Sequence, residues 1–387
     1  MTLTAFTGAD LFDGDRIVSG RTLLVEAGRV VGQCAPSEIP SAAQRVDLEG
    51  GLLTAGFIDA QVNGGGGVLL NDDRTPGAMG RIAAAHRRYG TTGLLPTLVT
   101  DTQAVTEQAL DAAVAAAGVQ AGVLGVHLEG PHLAPARKGA HPAHLMRPLD
   151  DTDVDRLIAA RPAIGVLMVT LAVEQAPPRL IRRLADAGVI VSLGHTDAAY
   201  DAAMAAIDAG ARGITHLFNA MSPLGHRAPG MVGAALNSGS VWCGMITDGH
   251  HVHPACLDLA LRAKQGPGKC FIVTDAMPTV GVDATSFSLG GRLATRADGR
   301  LTFDDGTLAG ADIDMAASLR FAVEHLQLSR EEALRMTTLY PARFLRIDAT
   351  RGSLQPGRIA DMLLLDDGLR PRRVWLDGVE CSDAPIG

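Results

Sequence analysis

The feature that most constrains the fold of this chain is the alternation of short apolar runs with alanine-rich stretches between residues 76 and 275. The apolar runs have strand length: GVLGVHL (122–128), AIGVLMVTL (163–171), GVIVSLGH (188–195), RGITHLF (212–218), VWCGMIT (241–247) and KCFIVTD (269–275). The other stretches end in glycine, as helices commonly do: PGAMGRIAAAHRRYG (76–90), PRLIRRLADAG (178–188), DAAYDAAMAAIDAG (197–210) and ACLDLALRAKQG (255–266). Repeated strand–helix units need parallel strands with helical crossovers, so the sequence predicts an α/β fold.

A closed barrel and an open doubly wound sheet both contain this alternation, and the positions of polar residues distinguish them. Glu129, His195, His216 and Asp275 each stand at or just beyond the end of an apolar run. Polar groups gathered from several strand ends are typical of a barrel's active face, whereas an open sheet focuses its ligand at one switch point. The glycine-rich segment 63–68 matches neither dinucleotide nor P-loop fingerprints, so it is interpreted as a sharply bent loop. We predict a (β/α)8 TIM-like barrel.

The two ends of the chain differ from the middle and resemble each other. Residues 3–48 and 352–381 contain short β-type runs broken by Gly and Asp turns, and neither end is long enough for an independent core. We predict one small β-sandwich domain formed by both termini, residues 1–53 and 346–387, with the barrel inserted as residues 54–345.

Residues 282–309 interrupt the rhythm of the barrel. Short alternating runs separated by Gly and Asp-Gly turns predict a β-hairpin excursion, placed near the active face because it follows Asp275. Two interpretations stay open: a moving lid and a hairpin that decorates the surface.

Composition sets the broad class of protein. The chain has 387 residues, 47% of them hydrophobic, which is enough for one barrel and a small extra domain. The net charge is −8 with both signs mixed, and no basic stripe indicates nucleic acid. There is no apolar run of membrane-spanning length and no signal-peptide pattern. Five scattered cysteines without a C-x-x-C pair indicate reduced thiols, and hence a cytoplasmic enzyme, although a binding protein has the same composition.

Three of the strand-end residues form a donor set that suits a hydrolytic metal. One carboxylate, Glu129, and two neutral imidazoles, His195 and His216, leave a coordination position for water on Zn²⁺. A single strand-end histidine is more often a structural residue, so the case rests on three such residues at one end. Asp275 follows FIVT, where a carboxylate can take a proton from metal-bound water. Its alternative is a helix N-cap, which the following AMPTVG does not favour.

A series of motifs then suggests a family. In chain order they are GFIDAQVNG (56–64), HLEGPHL (127–133), KGAHP (138–142), SLGHTDA (192–198), THLFNAMSPLGHRAPG (215–230), DGHHVHP (248–254), VTDAMP (273–278), GTLAG (306–310) and TLYPAR (338–343). As a set they resemble the N-acetylglucosamine-6-phosphate deacetylase family of the amidohydrolase superfamily. The resemblance spans nearly the whole chain. It implies metal-dependent hydrolysis of the acetamide of N-acetylglucosamine 6-phosphate, in amino-sugar catabolism and cell-wall sugar recycling.

The resemblance implies a role for each matching residue near the reaction centre. Glu129, His195 and His216 match the metal ligands, and Asp275 matches the catalytic acid/base. His141, in KGAHP, matches a histidine that stabilises the oxyanion near the scissile carbonyl; it could otherwise be a solvated loop residue.

The resemblance also implies a substrate site. Asn219 and Ala220 match a turn whose backbone faces the sugar phosphate, and His251 matches a histidine that grips the substrate. Arg227 matches an arginine that reaches the phosphate from the partner subunit of a homodimer. A guanidinium suits bidentate phosphate binding, although an exposed loop arginine is otherwise usually solvated. The other two histidines of DGHHVHP are expected to be loop or supporting residues.

One departure from the superfamily bears on the number of metal ions. Gln61 and Asn63 stand where many amidohydrolases carry H-x-H, and neutral amides are poor replacements for imidazole ligands. We expect one divalent ion per subunit, Zn²⁺ as the first choice and Fe²⁺, Co²⁺ or Mn²⁺ as alternatives.

Three alternative functions stay open on the sequence. N-acetylgalactosamine 6-phosphate differs from the gluco substrate at one hydroxyl, and no residue discriminates the two. Another amidohydrolase acting on an N-acyl substrate would more often carry H-x-H and a bridging carboxylated lysine. A non-catalytic sugar-phosphate-binding protein would not need both the ligand set and Asp275.

Overall fold

Short strands open the chain in the computed structural model, which describes residues 2–382. They are β1 (Thr4–Thr7), β2 (Asp10–Phe12), β3 (Ile17–Val18), β4 (Thr22–Glu26), β5 (Arg29–Cys34), β6 (Gln44–Asp47) and β7 (Leu52–Ala55). Most are joined by tight turns, and burial alternates at the start of β5, where Val30 is buried between the exposed residues Arg29 and Val31.

The centre of the chain forms a parallel barrel. Its strands, with a short hairpin β9–β10 beside them, are β8 (Phe57–Val62), β9 (Gly64–Gly65), β10 (Val68–Leu69), β11 (Thr91–Val99), β12 (Gly125–Glu129), β13 (Val166–Leu171), β14 (Ile190–Leu193), β15 (Gly213–Ile214), β16 (Trp242–Met245) and β17 (Cys270–Ile272). The eight barrel strands have the order β17-β16-β15-β14-β13-β12-β11-β8. Every residue in them is buried, which explains why they read as continuous apolar runs.

Helices cover the outside of this barrel. They are α1 (Pro76–Arg87), α2 (Gln103–Ala116), α3 (Asp151–Ala160), α4 (Pro178–Asp186), α5 (Tyr200–Asp208), α6 (Gly230–Asn237) and α7 (Pro254–Ala263). Side-chain N-caps begin several of them: Thr75, Thr102 and Asp150 each accept a backbone N–H from the first turn. Within residues 2–382, no helix combines the length and apolar composition needed to cross a bilayer.

Polar contacts join the first and last barrel strands. The buried Asp59 carboxylate on β8 accepts hydrogen bonds from the Thr274 backbone N–H at 3.3 Å and the Thr274 hydroxyl at 2.5 Å. The Asp275 N–H donates to the Gln61 carbonyl at 3.0 Å. Burial raises the pKa of Asp59 to about 7, and these hydrogen bonds oppose that rise. The seam therefore fixes Asp275 beside the end of β8.

The barrel prediction is confirmed, but individual strands differ from the predicted runs. The run 188–195 contains a strand of four residues and the run 212–218 a strand of two. Both strands end before a histidine that leaves extended geometry. β11 was not among the predicted strands because it contains Pro96, which interrupts strand patterns; the structure accommodates Pro96 at a register shift against β8.

An antiparallel sheet follows β17. Its strands are β18 (Ser286–Leu289), β19 (Arg292–Ala297), β20 (Arg300–Thr302) and β21 (Leu308–Ala311), paired in that order. These four strands overlap the segment 282–309, for which a β-hairpin was predicted. A small apolar cluster beneath the sheet joins Leu289 and Phe303 to Leu69, Val99 and Met277 of the barrel loops. The lid hypothesis stays a prediction.

The chain ends with three helices and a return to the first sheets. These elements are α8 (Met315–Glu324), α9 (Arg330–Thr337), α10 (Leu339–Phe344), β22 (Met362–Leu365), β23 (Pro371–Leu376) and β24 (Val379–Glu380). Two sheets, β5-β4-β1-β6 and β24-β23-β22-β7-β2-β3, enclose a second core. In it Phe6 meets Trp375 edge to face, with ring centroids 5.6 Å apart.

Both termini thus contribute to one core, as the fold class required. The predicted boundaries, 1–53 and 346–387 around the barrel at 54–345, stay a prediction. Residue 1 and residues 383–387 of that prediction lie outside the described residues.

Candidate active site

Several residues that end barrel strands have unusual backbone geometry. His195, His216 and Asp275 have φ values of 48°, 31° and 53°. Non-glycine residues rarely adopt this left-handed region, and such strained positions cluster at functional sites. Each residue leaves the extended path at the carboxyl end of its strand.

The side chains of Glu129, His195 and His216 converge. The Glu129 Oε1 atom lies 3.0 Å from His216 Nε2 and 3.4 Å from His195 Nε2, and the two Nε2 atoms lie 3.1 Å apart. Two ligands bound at about 2.1 Å to a tetrahedral ion are roughly 3.4 Å apart. These three donor atoms are therefore spaced like ligands of a single ion.

Hydrogen bonds set the tautomer of His195. Its Nδ1 donates to the Arg137 carbonyl at 2.8 Å, so in the neutral ring Nε2 carries no proton and faces His216. The Nδ1 atom of His216 is buried and has no partner among the described residues. Burial alone would lower the pKa of His216, but its bond to Glu129 raises it. Two facing ring nitrogens and one carboxylate suit a divalent cation, because one ion can bind the electron pairs of all three groups at once.

His141 also lies close enough to be considered as a ligand. Ligand atoms of Glu129, His141 and His195 lie within 4.8 Å of one another. The Thr100 backbone N–H and hydroxyl both contact His141 Nδ1, at 3.3 and 2.8 Å, and either tautomer of the ring satisfies these two contacts. Burial and the neighbouring His195 lower the pKa of His141 to about 3, so the ring is neutral. His141 Nε2 lies 3.8 Å from the nearer Glu129 oxygen, whereas His216 Nε2 lies 3.0 Å from Glu129 Oε1, which favours His216 over His141 in the ligand set.

Two amides hold Asp275 beside this cluster. The Gln61 side-chain N–H₂ bridges both carboxylates, with Nε2 lying 3.0 Å from Asp275 Oδ1 and 3.1 Å from Glu129 Oε1. Asn63 Nδ2 donates to the same Asp275 oxygen at 2.7 Å. Burial, together with the charge of Glu129, raises the pKa of Asp275. The side-chain nitrogens of Gln61 and Asn63 thus donate to carboxylates.

A cavity of about 340 Å³ opens above these groups. It brings together most of the predicted site residues: Glu129, His141, His195, His216, Asn219, Ala220, His251 and Asp275. Arg227 is not among the lining residues; it is exposed in the loop between β15 and α6. Within one chain, therefore, Arg227 does not contribute to this cavity.

The three histidines of the 248–254 stretch have separate environments. His251 lines the cavity, and its Nδ1 lies 2.6 Å from Asp248 Oδ2. Burial acts to raise the pKa of Asp248, but the side-chain bond from His251, the charge of that ring and the backbone N–H groups of His250 and His251 together lower it to about 2. His250 Nδ1 accepts from Arg300 on β20 at 3.2 Å, and His253 caps the first turn of α7.

The cavity also has lining residues that are not polar residues at the ends of barrel strands. Val99, Met277 and Leu289 are apolar, and residues 306–310 come from the antiparallel sheet. The pattern of polar residues at strand ends gives no indication of apolar residues that line the cavity. The GTLAG motif at 306–310 was the one available sign that this segment belongs to the site.

A parallel barrel that carries a carboxylate–histidine–histidine cluster and a nearby aspartate at its carboxyl end defines the class of metal-assisted barrel hydrolases. A β-sandwich built from both termini completes the architecture. The chain belongs to the amidohydrolase family, whose sequence profile matches residues 52–381.

Individual relatives narrow the comparison. The chain is 43% identical to N-acetylgalactosamine-6-phosphate deacetylase from Shewanella sp. (strain ANA-3), over 86% of this chain and 83% of that protein. It is 37% identical to N-acetylglucosamine-6-phosphate deacetylase from Homo sapiens, over 94% and 89% of the two chains. The crystal structure of N-acetylglucosamine-6-phosphate deacetylase from Pasteurella multocida superposes with a TM-score of 0.93 at 34% identity, covering 98% of this chain and 99% of that one.

Proposed function

We propose that this protein hydrolyses the acetamide of N-acetylglucosamine 6-phosphate, releasing glucosamine 6-phosphate and acetate. The observation that carries the proposal is the placement of Asp275 next to the Glu129, His195 and His216 cluster, linked to it by the Gln61 amide. The names of the relatives support the amino-sugar phosphate as the substrate class. A phosphorylated substrate made and used inside cells also supports a cytoplasmic location.

Glu129, His195 and His216 would hold one divalent cation, with Zn²⁺ as the first choice and Fe²⁺, Co²⁺ or Mn²⁺ as alternatives. Such an ion polarises an amide carbonyl and lowers the pKa of bound water. A neutral imidazole with a bare Nε2, as in His195, suits this role. The amides of Gln61 and Asn63 already donate to carboxylates, which supports a single ion.

Asp275 would act twice as a proton carrier. It accepts the proton of the attacking water and then delivers it to the departing amine, because an amide leaves poorly as an unprotonated nitrogen. The rise in its pKa caused by burial brings the carboxyl closer to the range in which it can do both. Gln61 and Asn63 orient the carboxylate for this transfer.

His141 would stabilise the charge that develops on the carbonyl oxygen. His141 lines the cavity, and its Nε2 lies 3.8 Å from Glu129 Oε2; in the tautomer that carries its proton on Nε2, the ring would donate to the carbonyl oxygen. A pre-oriented donor at this position lowers the barrier without reorganisation during the reaction.

Phosphate recognition would use directed donors at the other side of the cavity. The backbone at Asn219 and Ala220 lines the cavity together with His251. Arg227 would reach the phosphate from the partner subunit of a homodimer; its exposed loop position supports this arrangement.

A second substrate, N-acetylgalactosamine 6-phosphate, is favoured by the 43% identity to the Shewanella galactosamine-type deacetylase. The test is acetate release from both N-acetylated sugar phosphates and from unphosphorylated N-acetylglucosamine, with metal content measured on the same sample. Failure to release acetate from either sugar phosphate would refute the proposal. Equal activity on the unphosphorylated sugar would refute the phosphate part alone.

A further inference from the structure

A second cavity lies beside the active-site cavity and is separated from it by two side chains. Its volume is about 300 Å³, and polar groups of Asn71, Asp72 and Asp101 lie in its lining. Val99 and Leu289 line both cavities. Each is only 3% exposed, so these two side chains form a packed partition between the cavities.

The order of the barrel strands shows where the partition lies relative to the proposed phosphate-binding residues. Asn219 follows β15 and His251 follows β16, whereas Val99 ends β11, which is four strands from β15 and so lies on the opposite side of the eight-stranded barrel. A sugar phosphate held near Asn219 and His251 would therefore extend its acyl group toward β11.

Contacts of the catalytic groups agree with this direction. Thr100, the residue after Val99, contacts His141 through its backbone N–H. Met277 follows Asp275 by two residues and belongs to the same apolar cluster as Val99 and Leu289. If the carbonyl group of the substrate lies between His141 and Asp275, the side chains of Val99, Met277 and Leu289 would border it on the side away from the sugar ring.

We propose that Val99, Met277 and Leu289 form an acyl wall that receives the methyl group and limits the enzyme to short N-acyl groups. The proposal rests on the proposed function, since it concerns the acyl end of the same substrate. A longer acyl chain meets the partition, which is close-packed and yields little. Shortening a partition side chain joins the two cavities and makes room for additional methylenes.

The experiment compares kcat/KM for N-acetyl- and N-propionylglucosamine 6-phosphate, together with the galacto pair, in the wild-type protein and in Leu289→Ala. One methylene in an apolar pocket changes specificity by roughly 10–200-fold. We expect the propionyl-to-acetyl ratio to rise by about tenfold or more in Leu289→Ala. The matched control is Leu293→Ala on the neighbouring strand of the same sheet. Leu293 is 59% exposed and lines neither cavity, so its ratio should equal that of the wild type.

Val99→Ala provides an independent route through the barrel side of the wall if Leu289→Ala does not fold. An unchanged ratio in a folded variant that still releases acetate overturns the acyl wall, and so does an equal rise in Leu293→Ala. Those results leave the deacetylase function intact. A wild-type protein that releases no acetate from either sugar phosphate overturns the function and the acyl wall together.

Discussion

Asp275→Asn separates the charge of the catalytic carboxylate from its position. Gln61 Nε2 and Asn63 Nδ2 both donate to Asp275 Oδ1, at 3.0 and 2.7 Å. An asparagine can present an amide oxygen to the same two donors, so the side chain should keep its orientation. What disappears is the ability to accept and return a proton.

The expected loss follows from the role of that proton. General acid–base catalysis contributes about 10²–10⁴-fold, and here one group acts in both proton transfers. We expect kcat to fall by about 10³-fold, corresponding to about 4 kcal/mol in the activation free energy. KM should change little, because the proposed phosphate-binding residues Asn219, Ala220 and His251 are not changed by this substitution. Steady-state acetate release over a range of substrate concentrations measures both constants.

Asp314→Asn is the matched control. Asp314 is a half-buried carboxyl whose pKa is also raised by burial, but it caps α8 by accepting the Ala317 N–H at 2.8 Å. Asparagine is an equally good N-cap, so kcat should stay at the wild-type value. If Asp275→Asn kept kcat within about threefold of the wild type, Asp275 would not be the proton carrier that general acid–base catalysis requires.

Three further changes test other parts of the site. Glu129→Gln replaces the carboxylate ligand and should lower bound metal well below one ion per subunit, measured by elemental analysis of the folded protein; full retention would contradict the ligand assignment. Arg227→Ala should raise KM for the sugar phosphate by about 10–100-fold with little change in kcat, as for loss of a charged hydrogen bond; an unchanged KM would exclude Arg227 from phosphate binding. The pKa of Asp59 is about 7 in the folded protein, against an ordinary value of 3.8. Between these two values the folded state keeps the Asp59 proton while the unfolded state has lost it. The free energy of unfolding of the wild type should therefore fall as the pH rises from 4 to 7. The fall in the free energy of unfolding is at most about 4 kcal/mol. Urea unfolding at pH 4.5 and 7 measures it, and Asp59→Asn should abolish this contribution. An equal difference between the two pH values in both proteins would count against a raised pKa of Asp59.

The sequence by itself was sufficient for the barrel and for the main polar residues of the site. Parallel strands place their carboxyl ends on one face, so Glu129, His195, His216 and Asp275 could be expected together before any coordinates were known. This inference needs only local information: an apolar run and the polar residue that ends it. The same reasoning did not detect β11, because Pro96 breaks the local pattern that it depends on.

Tertiary structure decided which atoms of those residues face one another. The choice between His141 and His216 as a metal ligand depends on the distance from each Nε2 atom to the Glu129 carboxylate, which is 3.8 Å for His141 and 3.0 Å for His216. The partition formed by Val99 and Leu289 joins barrel strand β11 to the antiparallel sheet, which is distant from it in sequence. Periodicity reports which face of a strand is buried, but it carries no information about which side chain covers that face. Packing between segments far apart in the chain therefore determines the tautomers, the orientation of Asp275 and the shape of the cavity.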